Sequence, residues 1–381
     1  MDIVHRSGAP TRRDLSCGNP RGVSMFLNTL NKNGTCSDAG REYLLPRWAR
    51  SKLLVLVGQK VGRVLINQNV SPSSARGVEF GSEGQRYQVH AKHEVLLAAG
   101  ALVTPLILEY SGIGLTEVLS AAGVPQIVDR PVGLNLQDQT TTTVVADIHS
   151  DGAGQGQAAY FATLDELFNA QENETARGLL HSQLNQWADD AVTGGGGSNQ
   201  TALKTQLELY RHWILNDNVA FAELFMNVQP KGSIVDKDPF LWKVTRNPRH
   251  LENDLDSLAQ AAASQLARNL LRAMHPFVST ETLPGSLVPD NATTDEWISY
   301  VAQDFQPNFH VIGTCAMMAK ELGGVVDPSG RVYGVKNLLV IDASIVPTQV
   351  SAHTSALLYG VAQKLSDLIL ADYHRNPDRM T

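Results

Sequence analysis

FQPNFHVIGTCAMM (Phe305–Met318) and GGVVDPSGRVYGVKNLLVIDASIVPTQVSAHTSALLYGVAQKLSDLI (Gly323–Ile369) are the stretches that decide the fold. The apolar run Leu338–Ile341, closed by Asp342, has the length and composition of a buried strand. Beyond a polar loop, Leu357, Val361, Leu365 and Leu368 recur at helical spacing and would share one helix face. A buried strand that ends in a polar loop and leads into a helix is where an α/β protein places a ligand. His310 and His353 stand among small residues at the two ends of this segment. Two imidazoles brought to one pocket can move a proton near neutral pH.

The rest of the chain bounds what that pocket serves. Its 381 residues suffice for a large core and two domains. A hydrophobic content of 43% with 18% charged residues is ordinary for a globular enzyme. The net charge of −7 argues against nucleic acid or an anionic membrane as partner. The longest apolar run, Val95–Leu108, is broken by Gly100, Thr104 and Pro105, so no membrane span is expected. Met1 is followed by Asp-Ile-Val-His-Arg, which lacks the apolar core of a secretory leader. Five Asn-x-Ser/Thr triplets, at Asn33, Asn69, Asn173, Asn199 and Asn291, nevertheless lean toward a secreted, glycosylated parent protein. Cys17, Cys36 and Cys315 are an odd count and allow at most one internal disulfide. No metal site is read.

Local patterns place further elements. Leu53–Val57 and Val61–Ile66 read as short strands about a Gly58-Gln59 turn, and Tyr87–Val89 and Glu94–Leu97 continue the β pattern. Pro105–Tyr110 reads as a helix start, and Leu115–Ala122 as a helix stopped by Gly123. Residues 160–220 read as mostly helical, interrupted by a flexible Gly194–Gly197 loop. Leu251–Ala273 reads as one long helix.

Several motifs stand in fixed order. They are Asn308-x-His310-x-x-Gly313-Thr314, Gly323–Asp327, Arg331–Gly334, Asp342-x-Ser344-x-x-Pro347 and His353. Upstream lie Ala99-Gly100-Ala101 with Thr104-Pro105, Ser111–Gly114, and Val132–Gln139. Together they resemble the glucose–methanol–choline family of flavin oxidoreductases, and within it the fungal glucose oxidases. Weaker similarity through Cys17–Met25, Leu44–Val64 and Gly152–Ala159 extends the resemblance over nearly the whole chain.

The resemblance implies an α/β fold with α+β character: an incomplete Rossmann-like FAD-binding domain plus a substrate domain of antiparallel sheet and helices. Residues 1–40 would be a connector on the lid side. Residues 41–139 and 313–381 would be the two parts of the FAD domain, with the substrate domain, residues 140–312, between them. It implies FAD as cofactor, a sugar or alcohol as substrate, and oxidation of a CH–OH group, such as glucose to its lactone, with oxygen as acceptor. A homodimer is the family's habit.

By the same resemblance His310 is the catalytic base, His353 its partner, and Glu223 the carboxylate that orients His353. Val61, Thr104, Asn135, Asp342, Ala343 and Gln349 fall at FAD-contacting positions. Asn308, Phe225 and Gln306 fall at the sugar pocket. Gln306 replaces the arginine of the glucose oxidases, exchanging a charged fork of five donors for two donors and an acceptor. That departure bears on sugar selectivity more than on reaction class.

Two further departures concern completeness. The family's opening strand, Gly-x-Gly-x-x-Gly turn and helix, which hold the dinucleotide pyrophosphate, are not found at the N-terminus. The chain therefore reads as the C-terminal portion of a longer parent, or as a gene model that starts late, and the alternative to an oxidoreductase is a non-catalytic truncated fragment of such an enzyme that binds FAD weakly or not at all. Gly154-Gln155-Gly156-Gln157-Ala158-Ala159 is no substitute. The polar insert His149–Asp151 parts it from the strand-like Thr141–Ile148, and no second strand ending in a ribose-binding acid follows. The stretch Val228–Val235 is shorter than in the family, where it carries an aromatic substrate contact. Cys315 beside His310 lacks the glycine-rich turn of a nucleophile and reads as a buried free thiol.

Overall fold

The computed structural model describes residues 10–11, 14–15, 17–82, 84–149, 157–197, 199–226 and 251–375. Gly154–Gly156 of the glycine-rich loop, the shortened Val228–Val235 and the adjoining Asp236–Pro239 lie outside the described residues.

Leu338–Val340 is the strand expected from the apolar run. It pairs in parallel with Val95–Leu97, in the register Leu338↔Val95, Leu339↔Leu96, Val340↔Leu97. Leu338, Leu339 and Val340 are all fully buried, as a strand covered on both faces requires. Burying each such side chain is worth about 1.5–3 kcal/mol. Ile107 and Leu108 on helix Thr104–Tyr110, Val332 and Val335, and Leu365 on helix Thr354–Arg375 complete one core around this pair. Val361 and Leu368 pack against it from the same helix face. Every buried member of this core comes from residues 64–132 or 315–365.

An antiparallel meander flanks it. Lys60–Asn67, Ser73–Ser82 and Gln85–His90 pair in turn, and Ser73–Ser74 joins Val335–Lys336 in parallel. Helix Thr104–Tyr110 has Pro105 in its first turn, where the missing N–H costs nothing. Helix Thr116–Ala121 ends just before Gly123, whose φ is +66°.

The second core rests on a three-stranded antiparallel sheet ordered Gly22–Met25, Ala158–Ala162, Ala222–Met226. Val23, Tyr160, Ala162 and Leu224 pack with Ala176 and Leu180 of helix Ala170–Ser182 and with Leu255, Leu258, Ala262 and Leu270 of helix Asp254–Ala273. The long helix begins where Asn253 accepts from the Asp256 amide. The buried Arg268 is satisfied by Glu281 (2.7 and 3.0 Å) and the Val288 carbonyl, and lies over the Trp297 ring at 4.5 Å.

Three local expectations are corrected. Leu53–Val57 is not a strand: it joins no sheet and is mostly exposed, with Leu54 at 83%. A run of apolar residues makes a strand only where a neighbour offers a ladder, and the pairing begins at Lys60. Residues 160–220 are mostly helical, but Ala158–Ala162 is the central strand of the second sheet. The tetraglycine is not a slack loop. Gly196 accepts from the Asn135 amide at 2.9 Å, and a Cβ on Gly197 would stand 2.3 Å from Leu203. A side chain there would have to displace the Leu203 side chain.

No helix among the described residues is long and apolar enough to cross a membrane.

Candidate active site

The site's first wall follows from strand alternation. In the three-stranded sheet, Gly22↔Phe161↔Glu223 and Ser24↔Ala159↔Phe225 lie in register, and so share one face. The opposite face feeds the helical core. The Phe26 amide donates to the Gln157 carbonyl (2.7 Å) and carries the ladder one step further. Phe26 therefore joins Glu223 and Phe225 on the same face. All three converge on His353. Glu223 Oε1 accepts from His353 Nε2 at 2.9 Å. The Phe26 and Phe225 rings lie 4.5 and 5.4 Å from the His353 ring and meet each other edge to face at 5.0 Å.

The second wall is the Gln306–Ile312 segment, laid antiparallel against Gln137–Thr141. Gln306–Pro307 pairs with Thr140–Thr141. The Asn308 amide donates to the Gln139 carbonyl (2.9 Å), and Gln137 and Ile312 exchange backbone bonds. The His310 amide donates to Asp138 Oδ1 at 2.8 Å. Between these anchors Phe309 adopts a left-handed φ of +59° with its ring 82% exposed. That conformation costs a bulky residue energy, and it persists because the anchors on either side fix it.

The two walls meet at the histidines, whose ring centroids are 4.9 Å apart and nearly perpendicular. His310 Nδ1 is 2.6 Å from Gln139 Oε1, to which Asn308 Nδ2 also donates at 3.1 Å. Burial, and then the neighbouring His353, push the His310 pKa below the ordinary imidazole value. Asp138 and Glu223 oppose that shift without reversing it. His310 is thus uncharged at neutral pH and has a lone pair to accept a proton.

A buried polar network seats the Pro347–His353 loop. The Pro347 carbonyl accepts from three amides: Asn135 Nδ2 (3.0 Å), Gln137 Nε2 (3.0 Å) and Gln206 Nε2 (2.9 Å). Gln137 Oε1 accepts from the Gln349 amide and the Tyr210 hydroxyl, both at 3.1 Å, and Tyr210 also bonds Thr348. Gln349 Nε2 closes the circuit on the His310 carbonyl at 2.9 Å. Gln349 Oε1 is buried and has no hydrogen-bond partner. An orphaned buried acceptor on the side chain that holds the His310 carbonyl fits a ligand that brings an N–H donor, and a flavin ring carries one.

Sequence models of the GMC oxidoreductase family match residues 4–141 and 232–362. The chain belongs to the GMC oxidoreductase family. It is 51% identical to a glucose oxidase of Aspergillus carbonarius over 98% of its own length and 64% of that protein's. It is 49% identical to glucose oxidase 2 of Penicillium expansum over 98% of its own length and 65% of that protein's. The chain therefore spans somewhat less than two thirds of these curated relatives. Among solved structures it superposes on an FAD-dependent oxidoreductase from Chaetomium thermophilum with a TM-score of 0.82 at 22% identity, covering 98% of this chain and 71% of that one. That likeness supports the GMC fold.

The structure gathers His310, His353, Glu223, Phe225, Asn308 and Gln349 at one place. Asn308 is used on the histidine side, through Gln139. Gln306 is exposed on its short strand. Val61 stands on the edge strand of the meander, 39% exposed.

Asp342 and Thr104 sit where the two parallel strands end, but their polar atoms are committed. Asp342 Oδ2 accepts from the Gly100 amide and the Thr104 hydroxyl; its Oδ1 accepts from the Ser344 amide and hydroxyl. The Thr104 hydroxyl also accepts from the Ala99 amide. The Asn135 amide group is similarly spent, on Pro347, Gly313 and Gln137. These three side chains are held by hydrogen bonds within the protein.

Phe26, Gln139, Gln137 and Tyr210 are site residues that sequence reasoning did not single out. The Val132–Gln139 motif was the available signal for the glutamines. Phe26 gave none. Cys315 is fully buried, its thiol pKa pushed up by desolvation, with Ser344 accepting its amide N–H, so it is no nucleophile.

Proposed function

We propose that this chain carries the substrate-oxidising machinery of an FAD-dependent oxidoreductase that acts on the CH–OH group of glucose or a related sugar, with oxygen as electron acceptor. The observation that carries the reading is the pair of facing imidazoles, one desolvated and one held by Glu223.

Converting an anomeric hydroxyl to a lactone removes one proton and one hydride. FAD, when bound, supplies the hydride acceptor. Gln349 and the backbone at Val61, Asn135 and Ala343 are the groups that would hold it. Neutral His310 takes the hydroxyl proton, because burial keeps it unprotonated at working pH. His353, anchored on Glu223, faces it at 4.9 Å and is the second group able to bond the sugar oxygen. Phe225 and Phe26 supply an apolar wall against which a sugar ring's C–H face can lie. The division of the chain at 139/140 and 312/313 is supported by the two cores, one drawn from residues 64–132 and 315–365, the other centred on the three-stranded sheet. Asn33, Asn69 and Asn291 lie exposed, which suits a secreted glycoprotein.

The direct test is the absorption spectrum of the purified chain reconstituted with FAD and then mixed with glucose without oxygen. A protein-bound flavin band that bleaches is expected. A bound flavin that stays oxidised with glucose and other aldoses would remove the sugar assignment, and failure to retain flavin would remove the activity from this chain.

The pH dependence is a second prediction. His310 must be neutral to act, so kcat/KM should fall as pH drops through its pKa, and rise to a plateau above it. Because burial and His353 lower that pKa, the acid limb should lie below the ordinary imidazole value of 6.5. Rates measured from about pH 4.5 to 8.5 (roughly two units each side of an ordinary imidazole) would locate it. A limb above 6.5 would contradict the assignment.

A further inference from the structure

Gln139 touches both histidine-bearing segments with one side chain. Its Nε2 faces two carbonyls of the loop that leads to His353, Val350 at 3.3 Å and Ala352 at 3.4 Å. Carbonyls only accept, so the NH2 end of the amide must face them, and Oε1 must face His310. Oε1 is also only an acceptor, and at 2.6 Å from His310 Nδ1 the proton must lie between them. Asn308 Nδ2, 3.1 Å from both atoms, donates to Oε1. The backbone reinforces the arrangement: the Gln139 carbonyl accepts from Asn308, and the Gln139 amide is taken by Asp138.

We propose that Gln139 is a positioning residue that holds neutral His310 as the Nδ1–H tautomer, so that Nε2 bears the lone pair and is the nitrogen that receives the substrate proton. Which ring nitrogen carries the proton is set by the bond the other one makes. The same amide ties the Val350–Ala352 loop to His310 and so fixes the gap between the two rings. The inference rests on reading His310 as the base, and it deepens that reading by naming the atom.

The test does not need turnover. The chain labelled with 15N-histidine, with and without FAD, is examined by long-range proton–nitrogen correlation above the His310 titration, with His310→Ala to assign the ring. The expected result is a protonated Nδ1 and an unprotonated Nε2. Gln139→Leu should abolish that preference and lower kcat roughly 10–100-fold, less than loss of the ring itself. Gln139→Glu keeps an acceptor at the same place and should retain Nδ1–H. Its new carboxylate adds to Asp138 and Glu223 and opposes His353, so the ring pKa and the acid limb of the rate should both rise.

A wild-type His310 protonated at Nε2 overturns the proposal, as does an unchanged tautomer in Gln139→Leu. If Nδ1–H is found but no sugar is oxidised, the functional reading fails and the tautomer stands. If sugar is oxidised by a chain with Nε2–H, the reverse holds.

Discussion

Replacing His310 with alanine should lower kcat for sugar oxidation about 10²–10⁴-fold, the usual worth of a positioned general base. That corresponds to roughly 3–5 kcal/mol of barrier. The loss should appear in kcat more than in KM, because the proton is taken only as the hydride leaves. The fold should survive, since the His310 ring belongs to neither large core and its segment is anchored through backbone bonds at Asn308, His310 and Ile312. The measurement is the rate of flavin bleaching by glucose without oxygen, which isolates the oxidative half of the reaction. His353→Ala is the necessary partner experiment. His310 is the ring whose pKa burial lowers, whereas His353 donates to a carboxylate at 2.9 Å. If His353→Ala removes the acid limb and His310→Ala leaves it in place, the roles are exchanged.

Much of this was legible from the residues, for identifiable reasons. The strand at Leu338 was readable because a fully buried parallel strand must be apolar at every position, which a short run of Leu and Val announces by itself. His310, His353 and Glu223 came from motif context; each alone is one polar residue among many. What stayed hidden was mostly partnership. Leu53–Val57 has a strand's composition but no neighbour to pair with, and composition does not report neighbours. Gln139 and Gln137 lay inside a recognised motif, yet nothing in a one-dimensional string says that one amide will bridge two loops that each lie more than 150 residues further along the chain (Gln139 to His310 spans 171 positions and Gln139 to Val350 spans 211). Phe26 reaches the site only because three distant strands align in register. Asp342 was read as a ligand contact from its place at a strand end, and the place was right. What the sequence could not reveal is that four protein donors consume its carboxylate.

That carboxylate carries the second large effect. Asp342→Ala should destabilise the chain by at least about 4 kcal/mol. Hydrogen bonds to a charged group are worth about 1.5–3 kcal/mol each, and buried donors left unpaired add a desolvation penalty. Four donors depend on Asp342, and two of the residues supplying them, Thr104 and Ser344, are fully buried. Asp342→Asn keeps the shape but turns one oxygen into a donor that confronts other donors, so a loss of roughly 2–3 kcal/mol is expected. Urea unfolding of the wild type and both variants measures this, and an Asp342→Ala loss under about 1 kcal/mol would refute it.

The effect should not stop at stability. Asp342 caps the turn Ala343–Ile345, whose carbonyls accept from Gly313, Cys315 and Met317. Those residues follow directly on His310, and the chain leaving the turn runs through Pro347 to His353. Loosening the turn frees both histidine-bearing segments at once. In the Asp342→Asn protein that remains folded, kcat should therefore fall together with stability, whereas a cavity variant in the same core that removes no hydrogen bond of the turn, such as Leu365→Ala on helix Thr354–Arg375, should lower stability alone. Equal kcat in the two variants would mean that the turn holds the strands together but does not aim the histidines.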